Sequence, residues 1–189
     1  MKKTEIRDLM KDRRRSLSPR ELQRISDDVC YNLFSHFQLE KKKISLFLPI
    51  EGFKEINTYK IWEKAMNLEA TVAVPKTNMD SLDIKQVLFE EEAQLEISPF
   101  GIPEPKKGRV IAAEHFDIII IPLLAFDQKG RRIGYGKGIY DRFLKKCSPR
   151  CQFIGLSHFE PIGDKIDDMH ALDVKLHACV TPEKVYRFG

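Results

Sequence analysis

The sequence predicts an α/β domain built on a mostly parallel sheet, and three observations carry that prediction. Short apolar runs alternate with amphipathic helical stretches, the order in which strands and crossover helices follow one another. One run, Phe116-Asp117-Ile118-Ile119-Ile120-Ile121, is almost continuously apolar, as a strand covered on both faces requires. Several runs stop at proline, which supplies no N–H to a central ladder.

The first forty residues read as two helices. Ile6, Leu9 and Met10 share one face of the first, with charged residues on the other. Ser18 caps the second, Pro19 suits its first position, and Glu21 completes a capping box. Leu22, Ile25, Val29, Leu33 and Phe37 continue it as an apolar stripe. Residues 44–48 read as a strand ended by Pro49, and residues 58–68 as a helix. Residues 71–74 form a strand stopped by Pro75, and residues 83–89 a third. Residues 116–121 end at Pro122, a helix covers about 138–146, and strands at 151–156 and 178–181 close the series. Residues 99–108, rich in Pro, Gly and Lys, are the one linker-like stretch. No internal repeat interrupts the chain, so residues 1–189 read as a single domain.

Composition narrows the function. Hydrophobic residues make up 42% of the 189 and charged residues 32%, so a buried core is available and wholesale disorder is not. No apolar run approaches the roughly 18 residues that span a bilayer. The opening MKKTEIRDLMKDRRR lacks an apolar stretch behind its charges, so a cytoplasmic, soluble protein is expected. Cys30, Cys147, Cys151 and Cys179 form no C-x-x-C pair and read as free thiols; a zinc site at Cys147, Cys151 and His158 would lack a fourth ligand.

Charge is unevenly placed. Residues 1–24 hold nine Lys/Arg against four Asp/Glu, so all of the +4 excess sits there and the rest of the chain is at −1. That asymmetry suits an anionic partner, whether nucleic acid, a membrane surface or a phosphorylated small molecule; it also suits a solvated helix face.

Open parallel sheets bind ligands beyond the carboxyl ends of their strands, which directs attention to the segment after Pro122. There Gly130-Arg131-Arg132-Ile133-Gly134-Tyr135-Gly136-Lys137-Gly138-Ile139-Tyr140-Asp141 sets three glycines at alternate positions. Such a loop bares backbone N–H groups for phosphate oxygens, Lys137 and Arg132 add positive charge, and a following helix would aim its N-terminal dipole at the same anion. Spacing excludes a P-loop, because Tyr135 stands five residues after Gly130, and excludes G-x-G-x-x-G, because Ile139 stands at the third glycine. Asp141 is placed to hold Mg²⁺ beside a polyphosphate, or to serve as a first-turn helix Asp. The five histidines form no catalytic pattern and no G-x-S-x-G elbow occurs, so positioning and electrostatic catalysis are expected, as in phosphoryl transfer.

At this loop the chain resembles the 5-formyltetrahydrofolate cyclo-ligase family. The resemblance is carried by Ile121-Pro122-Leu123-Leu124-Ala125-Phe126-Asp127, Gly130 and Arg132 to Asp141. Lys3-x3-Arg7, Glu55-Ile56-x-Thr58 and Gly101-Ile102-x-Glu104-Pro105 follow the family's order. It implies a three-layer α/β/α fold and an ATP- and Mg²⁺-dependent ligase acting on 5-formyltetrahydrofolate through a phosphorylated formyl group. The products would be 5,10-methenyltetrahydrofolate, ADP and phosphate. It further implies that Lys3, Arg7, Arg132, Ile133, Gly134, Tyr135, Gly136, Lys137, Gly138, Ile139 and Tyr140 surround ATP, with Arg132 and Lys137 carrying catalysis. Arg7, Leu48, Glu55, Tyr135, Gly136, Lys137, Gly138 and Ile139 would meet the folate, and Asp141 and Asp173 the metal. Ile139 stands where the family usually has an aromatic, and Leu172 and His177 replace a His and an Asp around the late motif.

On this reading Lys3 and Arg7 fold back over a nucleotide, whereas Arg13, Arg14, Arg15, Arg20 and Arg24 are solvated helix ends. A monomer with small-molecule partners, neither nucleic acid nor membrane, is expected. The competing readings are a nucleic-acid module using the basic first helix, which lacks interleaved aromatics, and a sugar-phosphate enzyme that needs a phosphate loop but no ATP.

Overall fold

A computed structural model describes residues 1–163, 166–168, 170 and 173–189. In chain order the elements begin with helices α1 (Lys3–Arg15) and α2 (Pro19–His36), strand β1 (Lys43–Ser45) and helix α3 (Tyr59–Asn67). Strands β2 (Thr71–Asn78), β3 (Asp83–Leu88), β4 (Leu95–Ile97), β5 (Pro103–Pro105), β6 (Val110–Ile111) and β7 (Ile118–Pro122) follow. Then come β8 (Ala125–Phe126), β9 (Arg132–Ile133), helix α4 (Ile139–Leu144), β10 (Gln152–Leu156), β11 (Ala178–Val180) and β12 (Val185–Arg187).

Eight strands make one sheet in the order β12-β11-β10-β7-β1-β2-β3-β6. Its centre, from β11 to β2, is parallel; β12 pairs antiparallel with β11 at one edge, and at the other β3 pairs antiparallel with both β2 and β6. The four isoleucines of β7 explain the layering. Ile118 and Ile120 pack with Ile25, Val29 and Leu33 of α2 and Ile61 and Ala65 of α3, while Ile119 and Ile121 pack on the opposite face with Phe143 and Leu144 of α4. Side chains alternate along a strand, so an all-apolar run needs a cover on each side. The expected three-layer arrangement follows, with α4 a thin second cover of six residues.

Helix α2 starts where its capping residues place it. The Ser18 hydroxyl accepts from Glu21 N at 3.2 Å, and Ser18 N donates to Glu21 Oε2 at 2.8 Å, satisfying two N–H groups that a helix start leaves open.

Several expectations need correction. Pro75 does not stop β2, which runs on to Asn78. Pairing with β1 ends at Ala73, so Pro75 sits where the strand has a partner on one side only and a missing N–H is tolerated. Residues 99–108 are no linker: β5 pairs with β4, and the buried Glu104 accepts from Thr77 N at 2.7 Å through Oε1, pinning the hairpin to the sheet. Leu9 is exposed, because the buried face of α1 runs through Lys3, Ile6, Met10 and Arg14. Helix α4 spans six residues, not nine: Gly138 ahead of it is left-handed, and Lys145 caps it at its other end. No helix among the described residues is long and apolar enough to cross a membrane.

Candidate active site

The chain leaving β7 builds the site. Leu124, Ala125 and Ile133 of the β8–β9 hairpin form an apolar cluster with Ile6 and Met10, so α1 lies against the segment beyond the sheet's carboxyl edge. Asp127 shapes the hairpin turn: its Oδ1 accepts from Lys129 N and Arg131 N, each at 2.9 Å. That turn delivers Arg132 to the base of the glycine loop. The Ile133 side chain is buried in the cluster with α1, and Ile139 and Tyr140 pack against the second core, so these three serve the loop first as its footing.

Gly136 (φ 101°) and Gly138 (φ 66°) take left-handed backbone conformations that a side chain would strain. Arg7 closes over this stretch. Its Nε donates to the Gly134 carbonyl at 2.9 Å, and its Cζ is 3.2 Å from where a Cβ on Gly136 would stand. Arg142 Nη2 donates to the Lys137 carbonyl at 2.9 Å, whereas the exposed Lys137 ammonium meets no carboxylate among the described residues. Because α4 is so short, the anion-binding capacity lies in loop N–H groups and cations rather than in a helix dipole.

Two carboxylates stand at the base of the loop. Asp141 Oδ1 accepts from Arg132 Nη2 at 2.7 Å and from Val174 N at 3.0 Å, which brings the late segment containing Asp173 to the same place. Asp173 Oδ2 pairs with Lys3 Nζ at 2.5 Å and accepts from His170 N at 2.8 Å. Burial would raise the Asp173 carboxyl, but the Lys3 ammonium and the His170 N–H outweigh it and hold the group below its ordinary range. Arg132 is buried and its Nε has no partner among the described residues; burial lowers its pKa, against the attraction of Asp141. Asp141 Oδ2 and Asp173 Oδ1 accept no hydrogen bond among the described residues. Among the described residues no third His, Cys, Asp or Glu joins them as a metal-holding group. Two hard carboxylate oxygens form the kind of donor set that suits Mg²⁺.

The far end of the site is built around Glu55, which follows β1 and is 5% exposed. Its Oε2 accepts from Ile50 N at 2.9 Å and its Oε1 from the Tyr135 hydroxyl at 2.5 Å. Burial pushes the Glu55 carboxyl up, opposed by these two donors and by Arg14. The Tyr135 ring stacks on Phe53, centroids 5.2 Å apart, and burial together with Glu55 pushes its phenol up. Leu48 is buried nearby in chain order but packs with Val74 and Phe89.

Arg14 contradicts the expectation of a solvated helix end. It is 3% exposed, Nη1 donates to the Tyr135 hydroxyl at 2.9 Å, and Nη2 donates to the Leu123 carbonyl. The signal was present in the spacing: Arg14 follows Ile6 and Met10 at four-residue steps, on the face that packs inward. His158, weighed in the sequence only as a zinc ligand, lies beside Arg14. Its Nε2 donates to the Lys54 carbonyl at 2.8 Å and its buried Nδ1 has no partner among the described residues; burial and then Arg14 push its pKa down to about 3. Leu172, one of the noted departures in the late motif, lies outside the described residues.

Comparison with known proteins finds relatives over nearly the whole chain. A profile of the 5-formyltetrahydrofolate cyclo-ligase family matches residues 1–181. The 5-formyltetrahydrofolate cyclo-ligase of Escherichia coli strain K12 is 26% identical over 185 residues, covering 95% of this chain and all of that protein. The mouse 5-formyltetrahydrofolate cyclo-ligase is 31% identical over 150 residues, 75% of this chain and 73% of its own. The NMR structure of Aquifex aeolicus 5,10-methenyltetrahydrofolate synthetase superposes with a TM-score of 0.83 at 31% identity, covering 99% of this chain and 93% of that one.

Proposed function

The chain belongs to the 5-formyltetrahydrofolate cyclo-ligase family, and from that premise we propose that it cyclises 5-formyltetrahydrofolate to 5,10-methenyltetrahydrofolate while ATP becomes ADP and phosphate. The observation that carries the reading is the meeting of two unlike ends in one site. A glycine loop ringed by Lys3, Arg7, Arg132 and Lys137 suits a triphosphate, and a buried carboxylate at Glu55 suits a heterocycle with N–H donors.

We assign each residue's work from its position together with the family's pattern. Arg7 and Lys3 reach from α1 to the loop and its late-chain neighbour, so they clasp the nucleotide from above. Loop N–H groups at Gly134, Gly136 and Gly138 hold phosphate oxygens. Tyr135, Gly136, Lys137, Gly138 and Ile139 stand where the loop faces both ligands. Glu55 accepts from the pterin N–H groups, with Leu48 in the apolar wall beyond. The formyl oxygen attacks the γ-phosphorus, the bond to the bridging oxygen breaks, and ADP departs. Lys137 and Arg132 stabilise negative charge on the transferring group. N10 then adds to the activated carbon, loses its proton, and the C–O bond breaks to release phosphate. Asp141 and Asp173 would hold Mg²⁺, which when bound neutralises phosphate charge and orients the γ-phosphate. The protein works as a single-domain, monomeric, cytoplasmic enzyme on small molecules.

The test is the near-ultraviolet absorbance gain of the methenyl product from 5-formyltetrahydrofolate. Gain that requires both ATP and Mg²⁺ supports the reading. No gain from folded protein with nucleotide bound overturns it.

A further inference from the structure

Arg14 is a costly residue to bury. It is 3% exposed, and no carboxylate pairs with it directly among the described residues. Its Nη groups go to a hydroxyl and a carbonyl, and its Nε finds no partner. An apolar side chain at this position would continue the stripe of Ile6 and Met10 and escape the desolvation penalty of a buried guanidinium. Stability therefore gives no reason for an arginine here, whereas its connections do. One side chain ties the end of β7, through the Leu123 carbonyl, to the glycine loop, through the Tyr135 hydroxyl. That hydroxyl passes its own proton's hydrogen bond on to Glu55 Oε1 at 2.5 Å.

The three groups form a directed chain. Guanidinium N–H donates to phenol oxygen, and phenol O–H donates to carboxylate oxygen, so Arg14 fixes which way the Tyr135 hydroxyl points and supplies the nearest countercharge to Glu55 at one remove. With Oε2 held by Ile50 N, both carboxylate oxygens are locked while each keeps a lone pair for an incoming donor. We propose that Arg14 is a positioning residue for the folate end of the site, aligning the Glu55 carboxylate through Tyr135 for the substrate's N–H donors. This rests on the function proposed above. Arg7 and Lys3, on the same helix, serve the nucleotide end, so α1 orders both ligands from one element.

The test compares wild type with Arg14→Met, Arg14→Lys, Tyr135→Phe and the Arg14→Met/Tyr135→Phe double variant. For each, KM for both substrates, kcat and the Kd of 5-formyltetrahydrofolate by equilibrium dialysis are measured, with circular dichroism as the check on folding. Loss of the charge-assisted chain should raise folate KM and Kd about tenfold or more in Arg14→Met. ATP KM and kcat should move far less. Arg14→Lys should recover part of the loss, Tyr135→Phe should resemble Arg14→Met in folate Kd although its own place in the loop can also touch ATP KM, and the double variant should bind folate little worse than either single one. If Arg14→Met does not fold, Tyr135→Phe, which keeps its ring on Phe53, carries the comparison. Unchanged folate affinity in these variants, equal losses in both KM values and kcat, or additive losses in the double variant would overturn the proposal. Wild type that binds folate without cyclising it counts against the reaction and still scores Arg14 by Kd; wild type that binds no folate overturns both.

Discussion

Arg132 Nη2 donates to Asp141 Oδ1 at 2.7 Å, closing the glycine loop across its base. The pair keeps a buried guanidinium compensated while leaving Asp141 Oδ2 open beside the late segment that carries Asp173. Asp141→Asn keeps an oxygen for Arg132, so a loss of stability short of unfolding is expected, and it removes the charge that a hard cation needs. The Mg²⁺ concentration for half-maximal turnover should rise roughly tenfold or more. A Mg²⁺ titration of initial rates checks this, and an unmoved midpoint would take Asp141 out of the metal site.

Among the described residues, Lys137 differs from the other cations of the site in having no side-chain partner to lose. It is exposed, and its backbone rather than its side chain is held, by Arg142. Lys137→Ala should therefore leave the melting temperature nearly unchanged and lower kcat by about 10²–10³, the scale for removing one transition-state charge donor. Thermal melts beside steady-state rates separate the two effects. Near-normal turnover would contradict a role in phosphoryl transfer.

Gly136 combines a left-handed φ of 101° with the Arg7 guanidinium 3.2 Å from a would-be Cβ. Gly136→Ala has two ways to fail, backbone strain of about 1–3 kcal/mol and displacement of Arg7. Both act on the nucleotide end. ATP KM should rise more than folate KM, and a larger rise for folate would mean that Arg7 guards the other ligand.

What the amino-acid sequence revealed depended on whether the cause was local. The glycine loop was legible because its glycines, Lys137 and Asp141 are near neighbours in the chain, and the β7 strand because both its faces are apolar. The capping box of α2 is likewise a four-residue event. The Tyr135–Glu55 bond was not legible, since it joins residues 80 apart that only the folded sheet edge brings together. Arg14 was missed for a different reason. It stands in a run of three arginines, where charge favours a solvated reading, yet its spacing from Ile6 and Met10 turns it inward. Residues 99–108 misled in the same manner: turn-forming composition suggested a linker, but Glu104 anchors the hairpin to β2.

His158 gives a prediction that separates folding from catalysis. Its imidazole is buried, donates from Nε2 to the Lys54 carbonyl, and stays neutral in the folded protein because burial and Arg14 push its pKa down to about 3. An unfolded histidine titrates near its ordinary value of about 6.5. Between those values the unfolded chain binds a proton that the folded chain does not, so stability falls as pH drops through about 6.5 and continues to fall toward about 3. Well inside this window the slope from this one group approaches about 1.4 kcal/mol per pH unit. Asp173, whose carboxyl is held low, drains stability with the same sign but only at the acid end, where an unfolded carboxylate would already be taking a proton. His177, also lowered by burial, contributes within the histidine window, so the wild-type curve alone does not isolate His158. His158→Gln keeps a donor for the Lys54 carbonyl and has nothing to titrate. Urea unfolding at pH 7.5, 6.5, 5.5 and about 5 should show a steep loss in wild type and a shallower one in the variant. The two curves converge on acidification even if the variant starts less stable. Parallel curves would mean that His158 takes up its proton as readily in the folded protein as in the unfolded chain, and the neutral, Lys54-bonded imidazole beside Arg14 would have to be abandoned.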